Sequence, residues 1–309
     1  MSAPRLRWYR FLWPQYWPLW LALGLMRHLA GRSDGTLLRV GRGLGALASR
    51  LPLPQRRVVQ RNLEWCFPDL TRAERRTLQV THFLEAGLTL PETALAWFAP
   101  VDRLRALVRF EGLADFDRLQ AEGRGVILLA AHFTTLEIGA RLITAVRPVH
   151  AVYKPSKNPL LSEFFRRYRG AVSAGMIASD DIRGMVRVLK SGGAVWYAPD
   201  QAYRGKGAVD VPLFGRPAAT NPATPRLAAL TGAVVLPYFV ERLPGELRYV
   251  VRIGPALENF PSDDPVRDLA RHHRLIETEA RRLPAQYLWL HKRFKPLDPD
   301  SPDPYSRRS

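Results

Sequence analysis

The apolar run Val126–Ala131, followed at once by His132, constrains the fold of this chain more than any other feature. The run is too short and too uninterrupted for an amphipathic helix, and it is typical of a strand buried on both faces. The segment 134–143 then has a helical pattern, with Thr134 or Thr135 as a candidate cap. The sequence therefore predicts an α/β fold with His132 at the carboxyl end of a buried strand, the edge of an open sheet where ligands bind.

Glu137 follows His132 by five positions, a spacing at which an acid can support proton transfer by the imidazole. A neutral imidazole takes a proton from a hydroxyl more readily when an acid fixes its tautomer, and Glu137 on the next helix is placed to do so. The structural alternative is a histidine that caps a strand end and an acid that favours a helix N-terminus. The same spacing recurs at His272 and Glu277, which we interpret as a solvated helix face because no strand precedes them. The His132 and Glu137 pair suggests attack by an alcohol on an activated acyl group.

The charge balance of the 309 residues narrows the choice of partners. Lys and Arg exceed Asp and Glu to give a net charge of +18, and the isoelectric point is about 10.8. Such an excess favours anionic partners such as nucleic acid, an acidic protein or anionic lipid. Cys66 is the one cysteine, so an intrachain disulfide is excluded and a thiolate metal site is disfavoured.

The first 30 residues have the composition of a membrane anchor. The uninterrupted apolar run Trp17–Met26 is shorter than the roughly 20 residues that span a bilayer unaided. Aromatic side chains that favour the headgroup region surround it: Trp13, Tyr16, Trp17 and Trp20. We expect residues 1–30 to form an N-terminal hydrophobic anchor helix, spanning or interfacial, and the alternative is a buried amphipathic helix.

A basic segment follows this anchor. Between Arg27 and Arg61 there are eight arginines and one acid, Asp34. Beside a membrane anchor, such a segment predicts contact with anionic headgroups, although charge of this kind often only solvates a surface. Nucleic acid is not expected as a partner because no recognised motif is present and the aromatic residues lie in the anchor, away from the arginines.

A second apolar run, Ala194–Asp200, also predicts a buried strand, and it ends in an acid as the first ends in a histidine. Polar groups at two strand ends can converge on one cleft, although Asp200 alone can equally be a turn residue. The helical segment 160–169 carries three arginines at its end, namely Arg166, Arg167 and Arg169. Arginine suits phosphate or carboxylate recognition, and it also complements a helix C-terminus.

The rest of the sequence predicts four further local structures. We expect a capping box at Thr71, a loop over residues 205–217, a strand hairpin over 233–242 and 247–253, and a disordered polar tail over 297–309.

Several runs resemble one known family, the late (secondary) acyltransferases of lipid A biosynthesis, within the wider glycerolipid acyltransferase superfamily. The histidine and the acid five positions later are shared by the superfamily, whereas the later runs are narrower. The runs that carry the resemblance are Tyr16-Trp17-Pro18, Ala131-His132-Phe133 with Glu137, Asp181-Ile182-Arg183-Gly184-Met185, Val195-Trp196-Tyr197-Ala198-Pro199-Asp200-Gln201, Val211-Pro212-Leu213-Phe214-Gly215, Glu258-Asn259-Phe260-Pro261 and Gln286-Tyr287-Leu288-Trp289-Leu290-His291-Lys292-Arg293-Phe294-Lys295.

The resemblance implies a central, mostly parallel sheet flanked by helices, with an acyltransferase domain over residues 31–296. It implies an acyl-carrier-protein thioester as donor, and a phosphorylated glucosamine disaccharide lipid, usually bearing Kdo sugars, as acceptor. It implies His132 as general base, Glu137 as its orienting partner, and Arg169 and Asp200 as substrate-binding residues. No metal or cofactor is expected, and the implied location is the cytoplasmic face of a bacterial inner membrane.

The sequence departs from the usual family pattern at 176–180, where a charged run is more common, and at 201–204, where an Asp-Tyr pair is more usual. These departures concern acceptor contacts and leave the reaction class unchanged. Two other hypotheses compete with the family assignment. One is acylation of a different membrane lipid, such as a lysophospholipid, an aminolipid or a mannosylated lipid. The other is a non-catalytic basic protein that docks on membranes or nucleic acid.

Overall fold

The computed structural model of this protein describes residues 11–156, 158–168 and 174–306. The helices are α1 Trp17–Ala30, α2 Asp34–Arg50, α3 Pro54–Cys66, α4 Arg72–Gly87, α5 Thr89–Phe98, α6 Val101–Ala106, α7 Leu113–Ala121, α8 Leu136–Thr144, α9 Pro159–Tyr168, α10 Ile182–Lys190, α11 Ala223–Thr231 and α12 Pro265–Arg282. The strands are β1 Val108–Glu111, β2 Val126–Leu129, β3 Val149–Tyr153, β4 Gly175–Ala178, β5 Ala194–Tyr197, β6 Val209–Leu213, β7 Arg216–Thr220, β8 Val234–Arg242 and β9 Tyr249–Ile253.

Seven of the described strands form one sheet in the order β1-β9-β8-β2-β5-β3-β4. The pairing is parallel throughout except between β8 and β9, the predicted hairpin. The expected α/β class with a mostly parallel central sheet is therefore confirmed. The strand that precedes His132 is β2, at the centre of this sheet.

The central strand is buried on both faces, as its composition predicts. Val126 and Leu128 belong to the apolar cluster that includes Ile138 of α8, while Ile127 and Leu129 belong to the cluster on the opposite face. That second cluster includes side chains of α10 and α11. Because each fully buried aliphatic side chain contributes about 1.5–3 kcal/mol, this strand is held firmly in register with its neighbours. The segment that follows it is thereby fixed at the edge of the sheet.

Among the described residues, the structure gives no support for a membrane-spanning N-terminal helix. Helix α1 has 14 residues, and within the part of the chain that the structure describes no helix is both long and apolar enough to cross a bilayer. The helix packs against α5 and buries Leu23 and Ala30. Its other face exposes Leu21 and Leu25.

The predicted loop at 205–217 is wrong, since it contains most of an antiparallel hairpin formed by β6 and β7. The chain turns at Phe214 and Gly215, both with positive φ, which matches the right-handed twist of a hairpin. Pro212 and Pro217 within the strands concealed this pattern in the sequence, because proline is rare in paired strands. The hairpin packs against α12.

The interpretation of His272 and Glu277 as a solvated face is also wrong. His272 is buried on α12, and Glu277 accepts a hydrogen bond from the Phe214 backbone N–H at 2.7 Å. Helix α12 packs on the β6–β7 hairpin, an element the sequence pattern did not reveal, and Glu277 is half-buried there. The capping box at Thr71 is confirmed at the start of α4.

The C-terminal segment is packed in the region described up to residue 306, in contrast to the predicted disordered tail. Tyr305 is buried, and its hydroxyl donates to Asn62 Oδ1 at 2.6 Å. The same hydroxyl accepts a hydrogen bond from the Phe294 backbone N–H at 3.1 Å. One aromatic residue with a satisfied hydroxyl thus anchors an otherwise polar segment.

Candidate active site

The two polar strand ends converge, as predicted. Leu129 of β2 pairs with Tyr197 of β5, so His132 and Asp200 each lie three residues beyond a matched pair. The His132 ring Nδ1 lies 2.5 Å from Asp200 Oδ1, and the His132 backbone N–H donates to Asp200 Oδ2 at 2.9 Å. One carboxylate therefore holds both the ring and the backbone of the histidine.

The electrostatic environment keeps Asp200 ionised. Burial alone would raise the pKa of this carboxyl group, which is 2% exposed. The charge of His132 and the hydrogen bonds from its ring and backbone outweigh burial, and the pKa of Asp200 lies well below its usual range. An ionised Asp200 accepts the hydrogen of Nδ1, and the neutral tautomer that fits this contact has its lone pair on Nε2. This tautomer makes Nε2 the basic atom.

Backbone hydrogen bonds from residues 286–288 hold the loop that carries His132. The Thr134 N–H donates to the Gln286 carbonyl at 2.7 Å, and the Leu288 N–H donates to the His132 carbonyl at 3.0 Å. The Gln286 side chain accepts from the Arg242 N–H at 3.0 Å and donates to the Arg242 carbonyl at 2.8 Å. The histidine is thus fixed from both sides of its peptide, which limits its motion relative to the sheet.

Glu137 contacts an indole nitrogen in the structure. Its Oε1 accepts a hydrogen bond from the Trp97 indole N–H at 2.6 Å, while the His132 Nδ1 is paired with Asp200. The structure therefore gives the Nδ1 contact to Asp200, and the role of Glu137 as orienting partner of His132 stays a prediction. Spacing along the chain favoured the nearer acid, because the register of β2 against β5 cannot be read from spacing. Glu137 lies instead in the wall of the cavity beside His132.

A cavity of about 820 Å³ opens in front of His132. This volume is within the roughly 300–1,000 Å³ typical of ligand sites. The wall combines apolar with charged side chains, and its apolar members among the described residues include Trp97, Leu136, Met176, Trp196, Leu227 and Leu230. An apolar wall with a reactive imidazole at one side suits a ligand with a long hydrocarbon part.

Sequence reasoning about the site did not single out His291. Its Nε2 accepts a hydrogen bond from the Ala202 backbone N–H at 3.1 Å. Burial, with a smaller contribution from the charge of His132, lowers the pKa of His291 to about 4, so the ring is neutral and remains an acceptor near pH 7. It fixes the segment that follows Asp200, and Gln201 and Ala202 of that segment line the cavity. The run 286–295 that carries the family resemblance is the sequence signal that points to it.

Of the four predicted site residues, the structure brings His132 and Asp200 into contact and places Glu137 in the same cavity wall. Arg169 lies outside the described residues.

The fold and site together define an α/β protein that presents an imidazole–carboxylate pair to a large, partly apolar cavity. Residues 7–296 match the bacterial lipid A biosynthesis acyltransferase family. The chain belongs to this family, and the resemblance seen in the sequence is confirmed.

Individual relatives agree with this assignment. The chain is 36% identical over 295 residues to a lipid A biosynthesis lauroyltransferase of Escherichia coli, covering 95% of this chain and 96% of the relative. It is also 36% identical over 286 residues to the lipid A biosynthesis palmitoleoyltransferase of that organism, covering 92% and 93%. Among solved structures, the 1-acyl-sn-glycerophosphate acyltransferase PlsC from Thermotoga maritima aligns at 15% identity with a TM-score of 0.38, covering 80% of this chain and 99% of that one.

Proposed function

We propose that this protein transfers a fatty acyl group from an acyl-carrier-protein thioester to a hydroxyl of an acyl chain on a lipid A precursor. Membership of the family supports the lipid A acyltransferase activity. The observation that carries the proposal is the His132–Asp200 pair in the wall of the 820 Å³ cavity. The product is a secondary ester in lipopolysaccharide biosynthesis.

The proposed chemical step uses the basic nitrogen of His132. Nε2 removes the proton of the acceptor hydroxyl while its oxygen attacks the thioester carbonyl carbon. The ionised Asp200 stabilises the imidazolium that forms and keeps Nδ1 protonated. The carbon–sulfur bond then breaks, and the imidazolium returns its proton to the departing thiolate. The step balances without a metal or a cofactor.

Charge supports both proposed substrates. Acyl carrier proteins are acidic and lipid A precursors are anionic, so a chain of net charge +18 attracts both. Arg169, which lies outside the described residues, and Asp200 are the substrate-binding residues that the family resemblance implies. In the structure Asp200 is buried against His132, so we propose that it acts on the substrate through the imidazole.

We also propose that the protein works at the cytoplasmic face of the bacterial inner membrane, with its N-terminus in the lipid interface. The support is the exposed apolar surface at the start of the chain, made of Leu12, Trp13, Trp17, Leu21 and Leu25, which we call the N-terminal apolar surface. Exposed arginines lie just beyond it, where anionic headgroups would meet them. The acceptor is itself a membrane lipid, so its delivery fits this location.

The proposed base is tested by His132→Ala. A deletion strain is complemented with either the wild type or the variant, and the lipid A of each strain is analysed by mass spectrometry. We expect the wild type to restore one acyl chain and the variant to restore none, because loss of a general base costs about 100-fold or more. The mass difference also identifies the chain length.

A folding control makes this result interpretable. His132 is part-exposed and its loop is held by backbone hydrogen bonds, so the variant should unfold at a temperature close to that of the wild type. Near-normal acylation by a folded His132→Ala protein would remove the proposed base. Lipid A that is unchanged on deletion of the wild-type gene would refute the proposed substrate.

A further inference from the structure

One cation in the cavity wall is buried without a counter-ion. Arg141 lies one helical turn beyond Glu137 on α8, is 7% exposed and lines the cavity. Its Nε has no hydrogen-bond partner, and no carboxylate among the described residues forms an ion pair with it. The remainder of the chain, residues 1–10, 157, 169–173 and 307–309, contains neither Asp nor Glu. Within the described part of the chain, this guanidinium therefore has no carboxylate partner.

The two other buried arginines of the described region form hydrogen bonds within the protein, although Arg293 Nε, like Arg141 Nε, has no partner. Arg242 pairs with Glu92 through two hydrogen bonds of 2.5 and 2.6 Å and also contacts Glu85. Arg293 donates to the Ala219 carbonyl at 2.9 Å and to Thr220 at 3.1 Å. Desolvation lowers the pKa of Arg141, whereas the carboxylates around Arg242 outweigh burial and raise its pKa. An unpaired buried cation is costly to folding, so its presence in a cavity wall points to a ligand that supplies the anion.

The charge of the cavity wall defines the ligand class. Three further cations line the cavity, Lys154, Lys206 and Arg226, against two acids, Glu137 and Asp180. The wall thus carries an excess of positive charge around an otherwise apolar space. A guanidinium forms two parallel hydrogen bonds with a phosphate group, which makes phosphate the best match for Arg141.

We propose that Arg141 binds a phosphate group of a substrate inside the cavity. This inference rests on the proposed function, because both substrates proposed above carry phosphate. In the acceptor it is a phosphate monoester on the glucosamine disaccharide. In the donor it is the phosphodiester of the arm that bears the thioester. The chemistry at Arg141 is the same for both, and kinetics with each substrate varied separately distinguish the two sources.

The decisive variant is Arg141→Gln, which removes the charge and keeps most of the side-chain length. We expect KM for the phosphate-bearing substrate to rise about tenfold or more with little change in kcat, since a charge-assisted hydrogen bond to a ligand has that effect on affinity. Arg141→Lys, which keeps the charge and loses the bidentate geometry, should give an intermediate KM. The matched control is Arg187→Gln on α10, at an exposed arginine that does not line the cavity, and its KM should equal that of the wild type.

The source of the phosphate follows from two truncated substrates. If the acceptor provides it, a dephosphorylated acceptor should have the same KM with the wild type and with Arg141→Gln. If the donor provides it, an acyl-pantetheine thioester that lacks the phosphate should show this equality instead. A KM increase that persists unchanged with both truncated substrates would overturn the proposal, as would unchanged KM values for both intact substrates.

A binding measurement separates failure of this inference from failure of the proposed function. Phosphorylated disaccharide lipid and phosphopantetheine are each added to wild type and variant, and the unfolding temperature is recorded without turnover. We expect one of these ligands to stabilise the wild type and not Arg141→Gln, whatever reaction the protein catalyses. The unliganded variant should be at least as stable as the wild type, because it loses an unpaired buried charge. A clear loss of stability in the unliganded variant, with ligand shifts unchanged, would assign Arg141 a structural role and overturn the proposal.

Discussion

Asp200 is distinguished from Glu137 by what each carboxylate contacts. Asp200 is buried and bonds the ring and the backbone of His132, whereas the described partner of Glu137 Oε1 is the indole of Trp97. Removing the charge of Asp200 leaves the imidazolium of the proposed transition state without its stabilising partner. Removing the charge of Glu137 leaves the hydrogen bond from Trp97 available to an amide oxygen.

Asp200→Asn should therefore cost far more activity than Glu137→Gln. We expect kcat to fall about 100-fold or more for Asp200→Asn and less than about tenfold for Glu137→Gln, by analogy with the acid of a catalytic triad. Initial rates with acceptor and donor at saturation measure this difference. An equal or larger loss in Glu137→Gln would return the orienting role to Glu137.

The sequence predicts that His132 and Asp200 lie at one edge of the sheet. It does not predict that Asp200 is the acid that contacts the imidazole. In a parallel sheet, apolar runs that end in His132 and Asp200 place both side chains at one edge, whatever the strand order. Which acid meets the imidazole depends on β2 lying beside β5 in register, a long-range pairing that local spacing does not encode. The burial of His272 was missed for a similar reason, since α12 packs on β6 and α11, elements that are distant in the sequence.

At the scale of elements, helices α2 and α4 cross at a contact made of glycines. A Cβ added to Gly45 would lie 2.3 Å from the Phe83 carbonyl oxygen and 2.7 Å from Leu84 Cα. One added to Gly87 would lie 2.2 Å from the Gly41 carbonyl oxygen. The two backbones thus approach more closely than any side chain permits, and this contact joins the N-terminal helices to one another.

Gly45→Ala should destabilise the protein although alanine favours helices. We expect the free energy of unfolding to fall by about 1–3 kcal/mol, the usual cost of overpacking, with the helix propensity of alanine offsetting up to about 1 kcal/mol. Gly43→Ala is the matched control, because it lies on the same helix with nothing within 4 Å of its added Cβ. That variant should be neutral or more stable. Denaturant unfolding compares the two, and a shift of the same sign and size in both would show that the close contact is unimportant.

Most elements of the sheet follow from composition, and the exceptions have a common cause. Buried strands such as β2 and β5 are apolar throughout, and helix starts such as Thr71 carry a local hydrogen-bond pattern. The β6–β7 hairpin has a proline in each strand and lies outside the main sheet, so its strands are visible only through their packing on α12. The depth of the cavity beside His132 is likewise a product of tertiary packing, so residue order does not show it.

At the scale of the whole molecule, an apolar surface and a basic surface adjoin at the N-terminal end of the chain. Leu12, Trp13, Trp17, Leu21 and Leu25 are 62–76% exposed. Helix α1 has 14 residues, and at 1.5 Å per residue it is about 21 Å long, against about 30 Å for a bilayer core. A helix of this length with an exposed apolar face suits the interface, lying along the membrane with the arginines beyond it toward the headgroups.

Leu21→Gln combined with Leu25→Gln tests this placement. Both leucines are more than 60% exposed, so their replacement should leave folding intact, and glutamine is a good helix former. We expect co-sedimentation with vesicles of phosphatidylglycerol and phosphatidylethanolamine to weaken at least tenfold, because each leucine that enters the interface contributes on the order of 1 kcal/mol.

The control is Val80→Gln with Val266→Gln, at two apolar positions that are 42% and 44% exposed on α4 and α12. Added salt should weaken the remaining binding of the leucine variant more than that of the wild type, since the arginines then carry most of the attraction. Binding as tight as that of the wild type would place the membrane contact elsewhere on the molecule.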